Sequence, residues 1–320
     1  MEVIASAPGK VILFGEHSVV YGEPAIAGAV DKRAFIKIKN SPNNKTILKS
    51  YDLNFEAEIN SKSKKYYLKK GKPGIIRYIL EVLYQHHDHS PIEIILSSNI
   101  PIGSGLGSSA AVTVATLAAL YRYHKVKFNR KSLAFDAHKI EETVQGIASP
   151  LDTLVCTHGG IIYLSRSKKF QSLRIKFKTP FVIGYSSKHG NTGKMVKDVK
   201  FLKENNPKIV NHIISAMGNL TNSGKYAILH NNVSKIGELM NINHGLLDSL
   251  GVSTPELSRM VYLARKKGAV GAKITGAGGG GSIIALCPKN IDSVAAEISK
   301  YEKILKTKFT NKGIYYQVKY

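Results

Sequence analysis

The sequence predicts an α+β fold in two parts, with a break near residue 180. Three observations carry that reading. Short runs rich in β-branched and aromatic residues, bounded by Gly, Pro, Asn or Ser, fill most of the first hundred residues. Helical periodicity dominates residues 193–267 instead. Strands and helices are grouped, with antiparallel returns, and do not alternate as βαβ units would.

Taken in order, strands are expected at residues 2–7, 11–14, 34–39, 45–50, 52–59 and 91–98. A helix over 74–87 interrupts them, because Ile75, Ile76, Ile79, Leu80 and Leu83 recur at helical spacing. A glycine-rich turn at 101–107 opens a helix over 108–124 that is apolar nearly all round and should be buried. Another helix at 131–145 leads through a loop to a strand at 160–165. After Thr179-Pro180 comes a strand at 181–186, then helices at 193–205, 209–220, 226–249 and 255–267. Strands at 272–275 and 282–286 flank a glycine run, and a helix at 291–306 precedes a last strand at 313–319. This gives domains of 1–179 and 180–320, packed over a shared cleft.

Composition narrows the class. The chain has 320 residues, 43% hydrophobic and 21% charged, which is globular and too apolar for disorder. No apolar run reaches the ~18 residues of a membrane span. The start, Met1-Glu2-Val3, lacks a signal-peptide layout, so a cytoplasmic protein without a membrane partner is expected. Cys156 and Cys287 have neither disulfide-framework nor metal-ligand spacing and read as buried core. Lys and Arg number 46 against 22 acidic residues, a formal charge of +24. That favours anionic partners, but the cations are dispersed. Even the densest group (Lys62, Lys64, Lys65, Lys69, Lys70) reads as a solvated loop or strand edge, so no nucleic-acid partner is expected.

Three segments carry chemistry. Pro101-Ile102-Gly103-Ser104-Gly105-Leu106-Gly107-Ser108-Ser109-Ala110-Ala111 brings several backbone N–H groups to one point and then enters a helix. A helix N-terminus favours anions, so this is a phosphate cradle by its physics, or else a serine-capped turn. It is not a Walker loop, since the Gly-Lys-Ser/Thr ending is missing. The run Thr275-Gly276-Ala277-Gly278-Gly279-Gly280-Gly281 is longer than a hairpin needs, which suits close approach by a phosphate or a neighbouring loop, or a bare flexible tip. The third segment, residues 8–22, sets Lys10 beside Gly9 at a strand start and Glu16-His17 after the strand end at Gly15.

These segments, in this order, resemble the GHMP kinases, a superfamily named for galacto-, homoserine, mevalonate and phosphomevalonate kinases. The resemblance covers nearly the whole chain, and within the superfamily residues 8–22 are most similar to the mevalonate kinases. Val19 and Val20 stand where galactokinases carry an acidic sugar-binding residue, and Glu16-His17 stands where phosphomevalonate kinases tend to have Glu-Tyr. The resemblance implies a first domain like the second domain of ribosomal protein S5 and a ferredoxin-like second domain. It implies transfer of the ATP γ-phosphoryl group to the 5-hydroxyl of mevalonate, with Mg2+ as cofactor, by an enzyme that often forms homodimers.

It also implies roles. Asp152 matches a catalytic carboxylate on a loop after a helix, and Lys10 the lysine that contacts it and the reacting groups. Pro101 through Ala111 would bind ATP. Glu141 matches the metal-binding glutamate; Glu142 lies ~100° away around the same helix, so only one of the two should face the metal. The serine ligand is Ser108 or Ser109, with Ser109 preferred. Lys10, Glu16, His17, Val20, Thr192, Gly276 and Ala277 would meet the substrate. Gly193 intervenes before Lys194, a departure from the family's Ser-Thr-Lys-like turn, so neither Lys188 nor Lys194 is assigned to the substrate carboxylate. The rival readings are another GHMP small-molecule kinase and, from a different class, a basic nucleic-acid binder on an S5-like fold.

Overall fold

The computed structural model describes residues 1–101, 103–146, 148–173, 179–186 and 190–319. It opens with β1 (Glu2–Phe14), one buried strand where two were expected. Pro8 has no N–H to donate, and pairing with β2 (Ala25–Asn40) shifts register between Pro8 and Lys10. The strand continues because the Lys10 N–H donates to the Leu106 carbonyl at 2.8 Å. Only residues 34–39 of β2 were legible, since its first half is largely alanine and glycine, which have weak strand propensity. Next come β3 (Thr46–Ser50), β4 (Phe55–Asn60) and β5 (Lys65–Lys70). The expected strand at 52–59 begins only at Phe55, because residues before it form a turn with Asn54 at φ 47°. The fully exposed β5 carries part of the lysine cluster on a sheet edge. Lys69 there pairs with Glu58 at 2.6 Å, so these charges serve the strand pair itself.

Helix α1 (Ile76–His86), strand β6 (Ile92–Ser98) and helix α2 (Ser108–Tyr123) follow. As expected, α2 is buried without interruption from Ala110 to Tyr121. Then come α3 (Arg130–Gln145), α4 (Pro150–His158), β7 (Ile161–Leu164) and β8 (Phe170–Leu173). Helix α4 replaces the expected loop around Asp152. Pro150 sits in its first turn, where a missing N–H costs nothing, and Leu151, Val155 and Cys156 bury one face. The first sheet runs β1-β2-β6-β3-β4-β5, with β7 paired to β2 and β8 to β7.

The second part is β9 (Phe181–Tyr185), α5 (Thr192–Asn205), α6 (Pro207–Leu229), α7 (Val233–Ser249), α8 (Pro255–Lys266), β10 (Gly271–Thr275), β11 (Ser282–Leu286), α9 (Ile291–Ser299) and β12 (Lys303–Thr307). Its sheet order, β10-β11-β9-β12, is the ferredoxin-like arrangement. Two expectations fail here. The helices at 209–220 and 226–249 divide instead at 229–233, where Asn231 takes φ 54° and Asn232 caps Lys235 N–H. The expected helix at 291–306 ends at Ser299, and residues 303–307 pair with β9 as a strand.

The last strand, β13 (Tyr315–Lys319), leaves its neighbours and pairs antiparallel with β1. A division at 179/180 therefore separates the two sheets except for this one strand. A continuous apolar core joins them: Phe14 and α2 share it with Phe181, Leu220 and Ile284. No helix among the described residues is long and apolar enough to cross a membrane.

Candidate active site

A cavity of about 620 Å³ opens between the two sheets, and the N-terminal turns of α1, α2, α4 and α5 line it. Unpaired N–H groups and dipole ends from several helices make such a space favourable to anions. The first glycine loop forms one wall. Gly103, Gly105 and Gly107 take φ values of 75°, 69° and 65°, which side-chain-bearing residues rarely adopt. Gly107 also has no room for a Cβ, which would stand 2.7 Å from Lys10 Cγ. Ser108 and Ser109 face the cavity from the start of α2. Ser104, Leu106, Ala110 and Ala111 are buried beneath the loop and do not line it. Ser104 instead donates to the Pro101 carbonyl at 2.6 Å, and Ser282 Oγ donates to the Ser104 carbonyl. Ile102 lies outside the described residues.

Lys10 Nζ stands 3.1 Å from Asp152 Oδ2, their side chains 6% and 22% exposed. The other carboxylate oxygen, Oδ1, is buried with no hydrogen-bond partner among the described residues. Asp152 belongs to the first turn of α4 rather than a loop, so the helix dipole also favours its charge. The carboxylate thus has one oxygen held by a cation and one without a hydrogen-bond partner among the described residues, and a carboxylate on a cavity wall is equipped to accept a proton.

Glu141 reaches the same cavity from α3 and is 2% exposed. Burial, then the Asp152 charge, push its carboxyl up to about 7, while the Ser109 hydroxyl and Lys10 pull the other way. Its Oε1 also lacks a hydrogen-bond partner among the described residues. Glu142 points outward to His138 at 3.4 Å, as the ~100° helical offset requires.

The expected substrate residues divide. Thr192, Gly276 and Ala277 line the cavity with Lys10. Glu16 and Val20 do not. Glu16 is buried and committed to Lys273 Nζ, with Asn243 Nδ2 donating to its second oxygen at 3.1 Å. Val20 is 57% exposed on a 3-10 turn outside the cavity, because that turn faces solvent. His17 sits behind the wall, its Nε2 2.8 Å from the Ala277 carbonyl, and burial lowers its pKa. Lys188 lies outside the described residues.

The second glycine run is packed, not a free tip. A Cβ on Gly190 would stand 2.2 Å from the Gly278 carbonyl, and one on Gly279 would stand 2.4 Å from Met195 Sδ. Neighbouring segments thus account for Gly278 and Gly279, whereas a Cβ on Gly276 or Gly281 would meet nothing within 4 Å. Reading the sequence missed Arg77 and Tyr78, which line the cavity from α1. It also missed Lys273, for which a signal existed: a lone charge between Ala272 and Ile274 in an otherwise apolar strand needs a buried partner. A groove of about 660 Å³ on the outer side of β3–β5 is lined by charges such as Lys45 and Glu58, which pair with each other at 2.9 Å.

Residues 74–160 match the GHMP kinases N terminal domain, and residues 225–304 match the GHMP kinases C terminal family. A mevalonate kinase of Methanothermobacter thermautotrophicus is 43% identical over 98% of this chain and 100% of its own length. One from Pyrococcus horikoshii is 42% identical over 92% of each. The crystal structure of the Methanococcus jannaschii mevalonate kinase superposes with a TM-score of 0.83 at 31% identity, covering 96% of this chain and 98% of that one.

Proposed function

The chain belongs to the GHMP kinase family, ATP-dependent phosphotransferases that act on a hydroxyl group, and on that premise we propose that its acceptor is mevalonate. The reaction is transfer of the ATP γ-phosphoryl group to the 5-hydroxyl, giving 5-phosphomevalonate and ADP. The observation that carries phosphoryl transfer is the Lys10–Asp152 pair facing the glycine loop. The full-length similarity to mevalonate kinases supports the choice of acceptor.

Each residue then has a task. The Asp152 carboxylate, on the cavity wall beside Lys10, takes the hydroxyl proton as the oxygen attacks. Lys10 pairs with that carboxylate and offsets the charge on the transferring group. Backbone N–H groups of 103–109 and the α2 N-terminus hold the ATP phosphates. Thr192, Gly276 and Ala277 bound the acceptor, and His17 fixes the Ala277 carbonyl from behind.

Magnesium requires hard oxygen ligands, and the unpartnered Glu141 Oε1 beside Ser109 fits that requirement. Glu141 and Ser109 would hold the ion, which when bound neutralises phosphate charge. A carboxyl poised at about 7 releases its proton readily to a cation.

An acceptor panel tests the proposal. Purified protein with ATP and Mg2+ should form ADP with mevalonate and give 5-phosphomevalonate by mass spectrometry. Faster turnover on phosphomevalonate or a hexose would transfer the site to another GHMP reaction.

A further inference from the structure

A second polar cluster lies at the opposite ends of the two helices that open onto the cleft. His87 is the C-terminal cap of α1 and His124 that of α2, while the N-terminal turns of both helices line the cavity. Between the caps, His87 Nδ1 and His124 Nε2 stand 3.0 Å apart. Asp88 Oδ1 is 3.5 Å from His87 Nδ1, and its Oδ2 is 3.3 Å from His124 Nδ1. The His87 side chain is fully buried and that of His124 is 14% exposed.

Proton positions in this cluster are constrained. His87 Nε2 faces the Ser90 carbonyl at 2.8 Å, an acceptor only, so it carries the ring proton and leaves a lone pair on Nδ1. Neutral His124 has one proton for two acceptors. Placed on Nδ1 toward Asp88, it leaves the His124 Nε2 lone pair facing that of His87. Placed on Nε2, it leaves Nδ1 facing a carboxylate oxygen. Either way one contact joins two lone pairs, and the set lacks one cation.

We propose that His87, His124 and Asp88 form a binding site for a divalent transition-metal ion of the zinc or cobalt class. Two imidazoles and a carboxylate are the donor set such ions take. The three groups offer ligand atoms that all lie within 4.8 Å of one another, compatible with a shared ion. The supporting contacts are also present. The His87 Nε2–H bond to a backbone carbonyl fixes the tautomer that frees Nδ1. Ser90 donates to Asp88 Oδ1 from both N–H (3.0 Å) and Oγ (2.7 Å), holding the carboxylate in place. Asp88 is 59% exposed, so the ion has a route in and solvent can complete its coordination. His89, with Nδ1 2.7 Å from Ser61 Oγ, is committed elsewhere. Bound there, the ion pins the far ends of α1 and α2 together, a structural role separate from phosphoryl transfer.

The test uses the full chain, freed of metal with a chelator and dialysed, then titrated with Co2+ and Zn2+. The expected result is one equivalent of Co2+ with visible d–d absorption, displaced by Zn2+, and a higher melting temperature in either metal. Asp88→Asn and His124→Gln, both on the accessible rim, should each abolish the absorption. Ser90→Ala should weaken binding by about 10–100-fold, as loss of an outer-shell partner does. Glu141→Gln should leave the absorption unchanged, which separates this site from the cleft. No absorption in the wild-type chain, absorption that survives both rim variants, or absorption lost in Glu141→Gln would each overturn the proposal.

Discussion

At the residue scale, two carboxylates share one cavity and differ in what surrounds them. Asp152 has Lys10 at 3.1 Å and a second oxygen that is buried without a hydrogen-bond partner among the described residues. Asp152→Asn keeps its size but cannot accept the proton, so kcat should fall by about 10²–10⁴ while ATP affinity stays within a few-fold. Steady-state rates and nucleotide titration check this; a variant retaining a tenth of the activity would remove Asp152 from the proton-accepting role. Glu141 is raised from 4.5 to about 7. Between those values the folded chain keeps a proton that the unfolded chain has lost. Folded protein binds more protons there, so its stability falls as pH rises through the window. Above about pH 7 the full destabilisation, on the order of 3 kcal/mol, is present. Glu141→Gln should therefore raise the melting temperature of ligand-free protein increasingly from pH 5 to 8 (proposed assay limits spanning that window). The same variant should depress kcat and raise the Mg2+ requirement, whereas Glu142→Gln, facing solvent, should do little. A pH-independent stability difference would show that Glu141 stays ionised.

At the element scale, the first glycine loop was legible because it needs positive φ values that glycine supplies. Its partner was not, since nothing in residues 8–11 announces that Lys10 N–H bonds Leu106 across nearly a hundred positions. Gly107→Ala tests the joint. A residue with a Cβ at φ 65° costs about 1–2 kcal/mol, and this Cβ would displace the Lys10 side chain. Both stability and kcat should drop, the latter through a misplaced Lys10. Loss of stability with kcat intact would mean Lys10 does not depend on the loop. Helix α4 shows the limit of periodicity. Its nine residues are too few for a convincing pattern, and its burial is set by α2 and α3 packing over it.

At the scale of the whole molecule, the two sheets are held by a shared core and by polar links of long sequence separation. Thr275 Oγ1 bridges the Ile12 N–H and carbonyl, both at 3.0 Å. Glu16 and Lys273 are a buried ion pair, 1% and 0% exposed at their side chains. Removing one member strands the other's charge, so Lys273→Met should cost about 3–5 kcal/mol in a urea titration. Glu16→Gln with Lys273→Met should recover most of it, because no unpaired charge remains. If the double variant is as unstable as the single one, the pair's contribution is packing rather than charge.

The sequence by itself determined the α+β class, the buried α2, both glycine loops, and that Glu141 and Glu142 face different ways. Each follows from neighbours within a few positions: helical spacing, the φ that glycine alone takes freely, and the angular offset of adjacent helical residues. Tertiary structure alone decided the rest. It carried β13 back to β1, made residues 303–307 a strand because β9 offered an unpaired edge, and turned Glu16 from the cleft to Lys273. It also set His87 against His124. Those outcomes depend on which backbone edge or charge lies across space, and partners 37 to 317 positions apart leave no local trace of each other.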